Sequence, residues 1–341
     1  MPSLLTRAAY HAQQASLRFP LLAAHAGLRL ATARGNEPTA EDLRALQRAY
    51  FALLEKDLRN AEAGLYPRSL LFQIPLRSYA RKLPRLLSDL PRTYLRFRRR
   101  DYRDLPADVD AERYPAYFRR TFHWQTDGYL SRRSAELYDL SVEFLFLGCA
   151  DVMRRQVIPP LTRFARRTRG RRLRILDVGC GTGRTLRQIA TALPGHQYFG
   201  VDLSPFYLEA ARKELADVAE VTLLAENAEK LPFRDGYFDA VTSVYLFHEL
   251  PRKARRRVAQ EMARVLRPGG ALVVEDSAQL AEARDLAFFL DGFAADMHEP
   301  FYRDYVRDDL AGILAEAGLE VSPAERCWLA KVVRATAPTS A

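Results

Sequence analysis

The segment RILDVGCGTGRT, residues 174–185, limits what this chain can fold into more than any other stretch. Ile175, Leu176 and Val178 make a short aliphatic strand around Asp177. Gly179, Gly181 and Gly183 follow at alternate positions, and a helical pattern opens at Arg184. A buried strand running into a glycine-rich turn and a helix N-terminus brings backbone N–H groups close to a nucleotide-like cofactor. The turn lacks the GxxxxGK[ST] of a phosphate-cradling loop. It also departs from the dinucleotide pattern GxGxxG, because Arg184 stands where the last glycine belongs. Asp202 ends the next strand, 19 residues past Gly183. A carboxylate there can accept two hydrogen bonds from a ribose diol, which names a ribose and not a cofactor.

From residue 171 strand and helix alternate. Strands are predicted at 173–178, 197–203, 221–226, 239–247 and 271–276, with helices at 184–193, 205–216 and 251–266. Further helices at 278–290 and 304–317 lead to two short strands near 319–322 and 326–334. This order predicts a parallel, doubly wound sheet with its site at the carboxyl ends of the strands. The earlier residues read as helices. One covers 3–33 with a break at Pro20, and Arg7, Arg18 and Arg29 share one of its faces. One covers 39–64, capped by Thr39 and ended by Gly64. Residues 76–102 alternate apolar and basic residues and are punctuated by Pro84 and Pro91. A long helix at 129–160 is stopped by Pro159-Pro160.

The 341 residues are 48% hydrophobic, enough for one large domain or two ordinary ones. The longest apolar run, FLFLGCA at 144–150, is too short to span a membrane. Cys149, Cys180 and Cys327 form no CxxC pair, so neither a disulfide framework nor a zinc site is implied, and a cytoplasmic location fits. The net charge of +10 is unevenly spread: residues 1–174 carry 33 Lys and Arg against 17 Asp and Glu, and residues 175–341 carry 19 against 25. A basic front half suggests an anionic partner, and a solvated arginine face is the plain alternative.

Five blocks resemble, in order and at compatible spacing, the class I S-adenosylmethionine-dependent methyltransferases. They are ILDVGCGTG (175–183), GVDLS (200–204), NAEKLPF (227–233), YFDAVTSVYLFHEL (237–250) and RVLRPGG (264–270). The branch most resembled holds ubiquinone and menaquinone C-methyltransferases and other small-molecule methyltransferases. The resemblance implies an α/β fold: a Rossmann-like, seven-stranded, doubly wound sheet with an antiparallel last strand over residues 171–341. Residues 1–170 then form an all-helical N-terminal extension and lid. It implies S-adenosyl-L-methionine as cofactor. By position, Asp177 anchors the turn and the amino-acid end, and Gly179, Gly181 and Gly183 let that end approach. Asp202 takes the ribose hydroxyls and Leu203 packs on the adenine. Asn227 faces the adenine amine where the family usually has Asp, and Ala228 and Tyr245 complete the cofactor contacts.

Candidate bases for the methyl acceptor are His248 and Glu249 past the fourth strand, His298 with Glu299, and His123 in the lid. Each histidine has a plain structural reading beside the catalytic one. His11, His25 and His196 read as surface residues. The HEL and HEP stretches lack HExxH spacing, so no metal site is expected. Aromatics gather in the same segments, among them Phe122, Trp124, Tyr129, Tyr245, Phe247, Tyr302 and Tyr305, which suits a small apolar or aromatic acceptor methylated at carbon or oxygen. The Asn-Pro-Pro-aromatic signature of nucleobase amine methylation is absent, and SVYL stands in its place. Two alternatives stay open: an RNA methyltransferase whose basic half binds phosphates, and a non-catalytic S-adenosylmethionine-binding protein. Residues 76–103 hold ten basic residues interleaved with leucines. That mixture predicts peripheral docking on an anionic membrane, such as the inner face of the cell membrane. RNA held through Tyr79, Tyr94, Phe97 and Tyr102, or leucines packed on the catalytic domain, would explain it equally.

Overall fold

Strand and helix alternate from Arg174 onward as the sequence predicts, and the described residues ahead of it form helices and loops. The computed structural model describes residues 4–32, 37–168 and 170–339. The front part holds α1 (Leu4–Thr32), α2 (Ala40–Glu62), α3 (Leu76–Arg99), α4 (Arg132–Leu145), α5 (Ala150–Arg154) and α6 (Ile158–Arg167). Then come β1 (Arg174–Val178), α7 (Arg184–Ala192), β2 (Gln197–Asp202), α8 (Pro205–Glu214), β3 (Val221–Ala225), β4 (Phe238–Val244), α9 (Arg252–Val265) and β5 (Leu266–Ser277). The chain closes with α10 (Ala287–Asp296), α11 (Tyr302–Tyr305), α12 (Leu310–Glu316), β6 (Glu320–Val321), β7 (Glu325–Cys327) and β8 (Ala330–Thr336).

One sheet runs β3-β2-β1-β4-β5-β8-β6, with β7 also paired to β8. β1 to β5 are parallel, and β8 is antiparallel to β5. The sheet has eight strands where seven are expected, because the predicted strand 326–334 is a hairpin of β7 and β8. Strand order reverses at β1, between β2 and β4, which opens a crevice at the carboxyl ends. Side chains of β1 divide between the two faces: Ile175 joins one core, and Leu176 and Val178 join the other. The first core also takes in Tyr10, Leu53, Leu58, Met153 and Ile158, so the front helices pack on the sheet rather than standing apart.

Several helix boundaries differ from expectation, and proline explains most of them. α1 runs through Pro20 and α3 runs through Pro84 and Pro91 without a break. A proline costs a helix one hydrogen bond and some strain, and here the rest of the helix sustains it. Pro159 and Pro160 do not stop a helix; they occupy the first turn of α6, where the missing N–H has no partner to lose. The predicted 129–160 helix breaks instead at Leu147 and Gly148, both at positive φ. The predicted 304–317 helix is split into α11 and α12, and α10 begins later than the predicted 278. Thr39 caps α2 with a full capping box to Asp42, as expected. The side chains of His25 and Arg29 lie outside the described residues. His11 pairs with Glu55 at 3.0 Å and His196 accepts the Leu173 N–H at 3.4 Å; both are half-buried.

α3 packs with the wrong face inward for an ordinary surface helix. Its inner stripe is Tyr79, Lys82, Leu86, Asp89, Thr93 and Arg96. Arg96 donates to Asp104 Oδ2 at 2.7 Å and to Thr126 Oγ1 at 3.0 Å, and Thr126 donates to Asp89 Oδ2 at 2.6 Å. The outer stripe, Leu76, Ala80, Leu83, Leu87, Leu90 and Tyr94, is apolar and exposed. So these leucines do not pack on the catalytic sheet. Of the ten basic residues, Arg96 is buried and Arg85 pairs with Glu136, while Arg77, Arg81, Arg92, Arg98 and Arg99 are exposed.

Candidate active site

A cleft opens over the carboxyl ends of β1, β2 and β4. Its floor is the turn from β1 to α7. Gly183 lies at φ +77°, and a Cβ there would sit 3.0–3.2 Å from Leu215 and Ala211, so glycine lets α7 close on α8. Gly181 lies at φ +54°, and a Cβ there would meet no atom within 4 Å. The backbone at Gly181 is therefore open to a ligand. Asp202 fixes the turn from the side: its Oδ2 accepts the Gly181 N–H at 2.9 Å and its Oδ1 accepts the Ser204 N–H at 2.8 Å. Burial pushes the Asp202 carboxyl up to about 6, against the pull of those N–H groups.

Gly179, Leu203, Asn227, Ala228 and Tyr245 line the same cleft. The Asn227 amide oxygen accepts the Glu229 N–H at 2.9 Å, so it already caps a local turn, with one lone pair left. Tyr245 stacks on Phe146 at 5.6 Å between centroids, and its hydroxyl donates to Met153 Sδ at 3.2 Å. Asp177 is not on the cleft wall. It is 1% exposed and accepts the Thr242 hydroxyl at 2.8 Å, tying β1 to β4, and burial pushes it up to about 7.

The remaining wall is aromatic: Phe118, Phe122, Tyr129, Tyr138 and Tyr207. Tyr138 and Tyr207 escape a sequence reading because they sit on α4 and α8, two helices that meet only in the fold. Arg154 also lines the cleft unforeseen; it is buried and donates to Asp151 Oδ1 at 3.1 Å. Arg184, the residue that breaks the glycine pattern, forks onto Asp151 through Nε at 3.1 Å and Nη2 at 2.5 Å. It also reaches Glu214 at 3.0 Å. The departure from glycine thus clamps α5 to the first turn of α7.

Beyond the aromatic wall lies a buried polar cluster. Glu249, on the short turn after β4, lines the cleft. The Tyr129 hydroxyl donates to Glu249 Oε1 and lies 3.3 Å from His123 Nε2. His123 Nε2 is 3.0 Å from Glu299 and 3.5 Å from Glu249. Burial pushes Glu299 up to about 7, with His123 pulling it back. His248 stands behind Glu249, its Nδ1 2.7 Å from Asp276 Oδ1. Burial opposes charge on this ring, but Asp276 outweighs it and His248 is pushed up to about 9. His298 is not part of the cluster. Its ring stacks on Tyr102 at 4.8 Å, and burial and Arg120 pull it down to about 4. Phe247, Tyr302 and Tyr305 are core residues. The absence of HExxH spacing did not reveal that the fold joins His123, Glu249 and Glu299 from three segments.

A methyltransferase-domain family profile matches residues 175–270. The O-methyltransferase rstn1 of Aspergillus nomiae NRRL is 34% identical over 204 residues, 54% of this chain and 84% of that protein. The demethylmenaquinone methyltransferase of Thermus thermophilus is 40% identical over 102 residues, 30% of this chain; the match spans 46% of that enzyme's length. An O-methyltransferase family protein from Burkholderia thailandensis aligns in shape over 61% of each chain, with 21% identity and a TM-score of 0.47. The cleft suits a nucleoside cofactor that carries an amino acid: open backbone at Gly181, the bare first turn of α7, and a carboxylate ending β2. With the profile covering that turn and strand, and a relative matched over most of its length, the chain belongs to the S-adenosylmethionine-dependent methyltransferases.

Proposed function

We propose that this enzyme methylates a small apolar or aromatic molecule bearing a hydroxyl group, and that it meets that molecule at an anionic membrane surface. The observation that carries the reading is the cleft itself: aromatic walls on the acceptor side, ending in one cluster of carboxylates and imidazoles. When bound, S-adenosylmethionine supplies an electrophilic methyl group on its sulfonium. Asp202 takes the ribose diol, Leu203 and Ala228 flank the adenine, Asn227 faces the adenine edge, and Tyr245 closes the methionyl side. The N–H groups at the start of α7 serve the carboxylate. Residues 1–170 act as extension and lid, with 171–341 as the catalytic unit. Phe118, Phe122, Tyr138 and Tyr207 exclude water and hold an apolar ring. Glu249 and Tyr129 would hold the reacting hydroxyl, and Glu249 would take up the proton that the hydroxyl oxygen gives up on being methylated; positioning of this kind can supply roughly 7–11 kcal/mol. A panel of phenols and long-chain alcohols with labelled cofactor is expected to yield O-methyl ethers by mass spectrometry. Transfer to RNA alone would overturn the acceptor class.

The membrane part rests on α3. No helix among the described residues is long and apolar enough to cross a membrane. Leu76 and Leu87 are more than half exposed, and the arginines flanking their stripe face solvent too. An apolar stripe bordered by cations lies naturally in the headgroup layer, where each basic residue contributes about 1 kcal/mol. Vesicles of phosphatidylglycerol and phosphatidylcholine are expected to sediment the protein, and pure phosphatidylcholine vesicles are not. The double variant Leu83→Glu, Leu87→Glu should weaken sedimentation by about tenfold or more, since it places two acids where two leucines insert. Equal sedimentation of variant and parent, or dimerisation through α3 with no vesicle binding, would overturn the docking.

A further inference from the structure

Three side chains from distant segments meet at the end of the cleft's aromatic wall. His123 comes from the loop before α4, Glu249 from the turn after β4, and Glu299 from the turn after α10. One ligating atom of each lies within 4.8 Å of the other two. The Glu299 side chain is fully buried, and neither of its oxygens accepts a hydrogen bond among the described residues. Two carboxylates this close repel each other, and burial strengthens the repulsion.

We propose that His123 Nε2, Glu249 and Glu299 bind one divalent transition-metal cation, of the Mn²⁺ or Zn²⁺ kind. One imidazole with two carboxylates is a donor set for such ions, whereas Mg²⁺ and Ca²⁺ favour oxygen throughout. The geometry is held on all sides. His123 sits at φ 54°, ψ 18°, followed by Trp124 at φ 58°, a left-handed pair without glycine. The His123 N–H reaches the His298 carbonyl at 3.4 Å, and the Trp124 N–H reaches the Thr121 carbonyl at 3.1 Å. That backbone turns the imidazole inward. Beside the trio, the His248–Asp276 pair ends with Nε2 4.0 Å from Glu249 Oε1. Three protein ligands would leave coordination positions open for an acceptor oxygen, and Glu249 borders the cleft. Resting on the reading that the acceptor carries a hydroxyl, the ion would hold that oxygen and orient it; the same site explains why an apolar cleft ends in buried acid.

The test uses the full chain, stripped with chelator and given metal alone, without cofactor or acceptor. Calorimetry with Mn²⁺ or Zn²⁺ is expected to show one saturable equivalent, and Co²⁺ should give visible d–d absorption bands. Glu299→Gln and His123→Gln should each lower metal affinity by at least about tenfold and abolish the bands. Both variants must still bind S-adenosylmethionine with parental affinity, which shows that they are folded. Absence of stoichiometric uptake by the parent chain overturns the site, as does undiminished uptake by Glu299→Gln. Metal uptake without methylation of any hydroxyl compound would sink the acceptor reading and leave the site standing. Full methylation by chelated, metal-free enzyme that also fails to take up metal would do the reverse.

Discussion

Replacing Asp202 by alanine is expected to weaken S-adenosylmethionine binding by about 10- to 150-fold. The carboxylate does two jobs at once. Toward the turn it accepts the Gly181 N–H at 2.9 Å and the Ser204 N–H at 2.8 Å. Toward the cleft, in the proposed reading, its remaining lone pairs would take the ribose diol. A hydrogen bond to a charged group contributes about 1.5–3 kcal/mol, and a loss of about 3 kcal/mol corresponds to roughly 150-fold. The loss reaches further than the ribose, because alanine also leaves the Gly181 N–H without its acceptor, and the glycine turn is then free to shift. Asn at this position keeps one acceptor oxygen but turns an amide donor toward either Gly181 or the ribose. Its loss should therefore fall between alanine and the parent. Isothermal calorimetry on folded protein reads both variants. Unchanged affinity in Asp202→Ala would remove Asp202 from the cofactor site.

What the sequence disclosed of this site is what is local in the chain. The strand, the glycine turn and Asp202 are short-range patterns, since the same few residues set the backbone conformation of the turn and line the cleft. The sheet follows from strand-helix alternation for the same reason. The acceptor side is different. His123, Glu249 and Glu299 lie in three segments separated by long stretches of chain, and no spacing rule joins them. Tyr138 and Tyr207 are five ångströms apart across two helices that sequence periodicity treats as unrelated (5.3 Å between ring centroids). Proline misled in a systematic way. Pro84, Pro91, Pro159 and Pro160 all look like stops, yet tertiary packing carries α3 through two of them and α6 starts on the others. Arg184 had no role readable from the motif it breaks. Its partner Asp151 belongs to the helical half, so only the fold reveals the clamp.

The second large effect concerns stability: Asp57→Ala is expected to cost about 3–5 kcal/mol. Asp57 is wholly buried on α2 and is the acceptor on which the front helices converge. Arg155 forks onto it through Nη2 at 2.6 Å and Nε at 3.1 Å. Tyr10 of α1 donates to its Oδ2 at 2.6 Å, and Tyr66 donates to its Oδ1 at 2.5 Å. Alanine would strand the Arg155 guanidinium, whose side chain is 4% exposed, with no counter-charge, and would leave the buried Tyr10 hydroxyl without its acceptor, while Tyr66 keeps only the main-chain carbonyl of residue 57 at 2.9 Å. Removing both charges is the informative contrast. Asp57→Leu with Arg155→Met deletes the pair together, so much of the loss should return. Denaturant and thermal midpoints read all three proteins. A midpoint for Asp57→Ala equal to that of the parent would overturn the hub. The consequence extends to the cofactor, because Arg155 directly follows α5, whose Asp151 holds Arg184 at the start of α7. If the helical part and the sheet share one core through these contacts, ligand binding and helical structure should be lost at the same temperature in Asp57→Ala. Helix loss well below the temperature at which S-adenosylmethionine binding fails would instead show that the two parts melt as separate units.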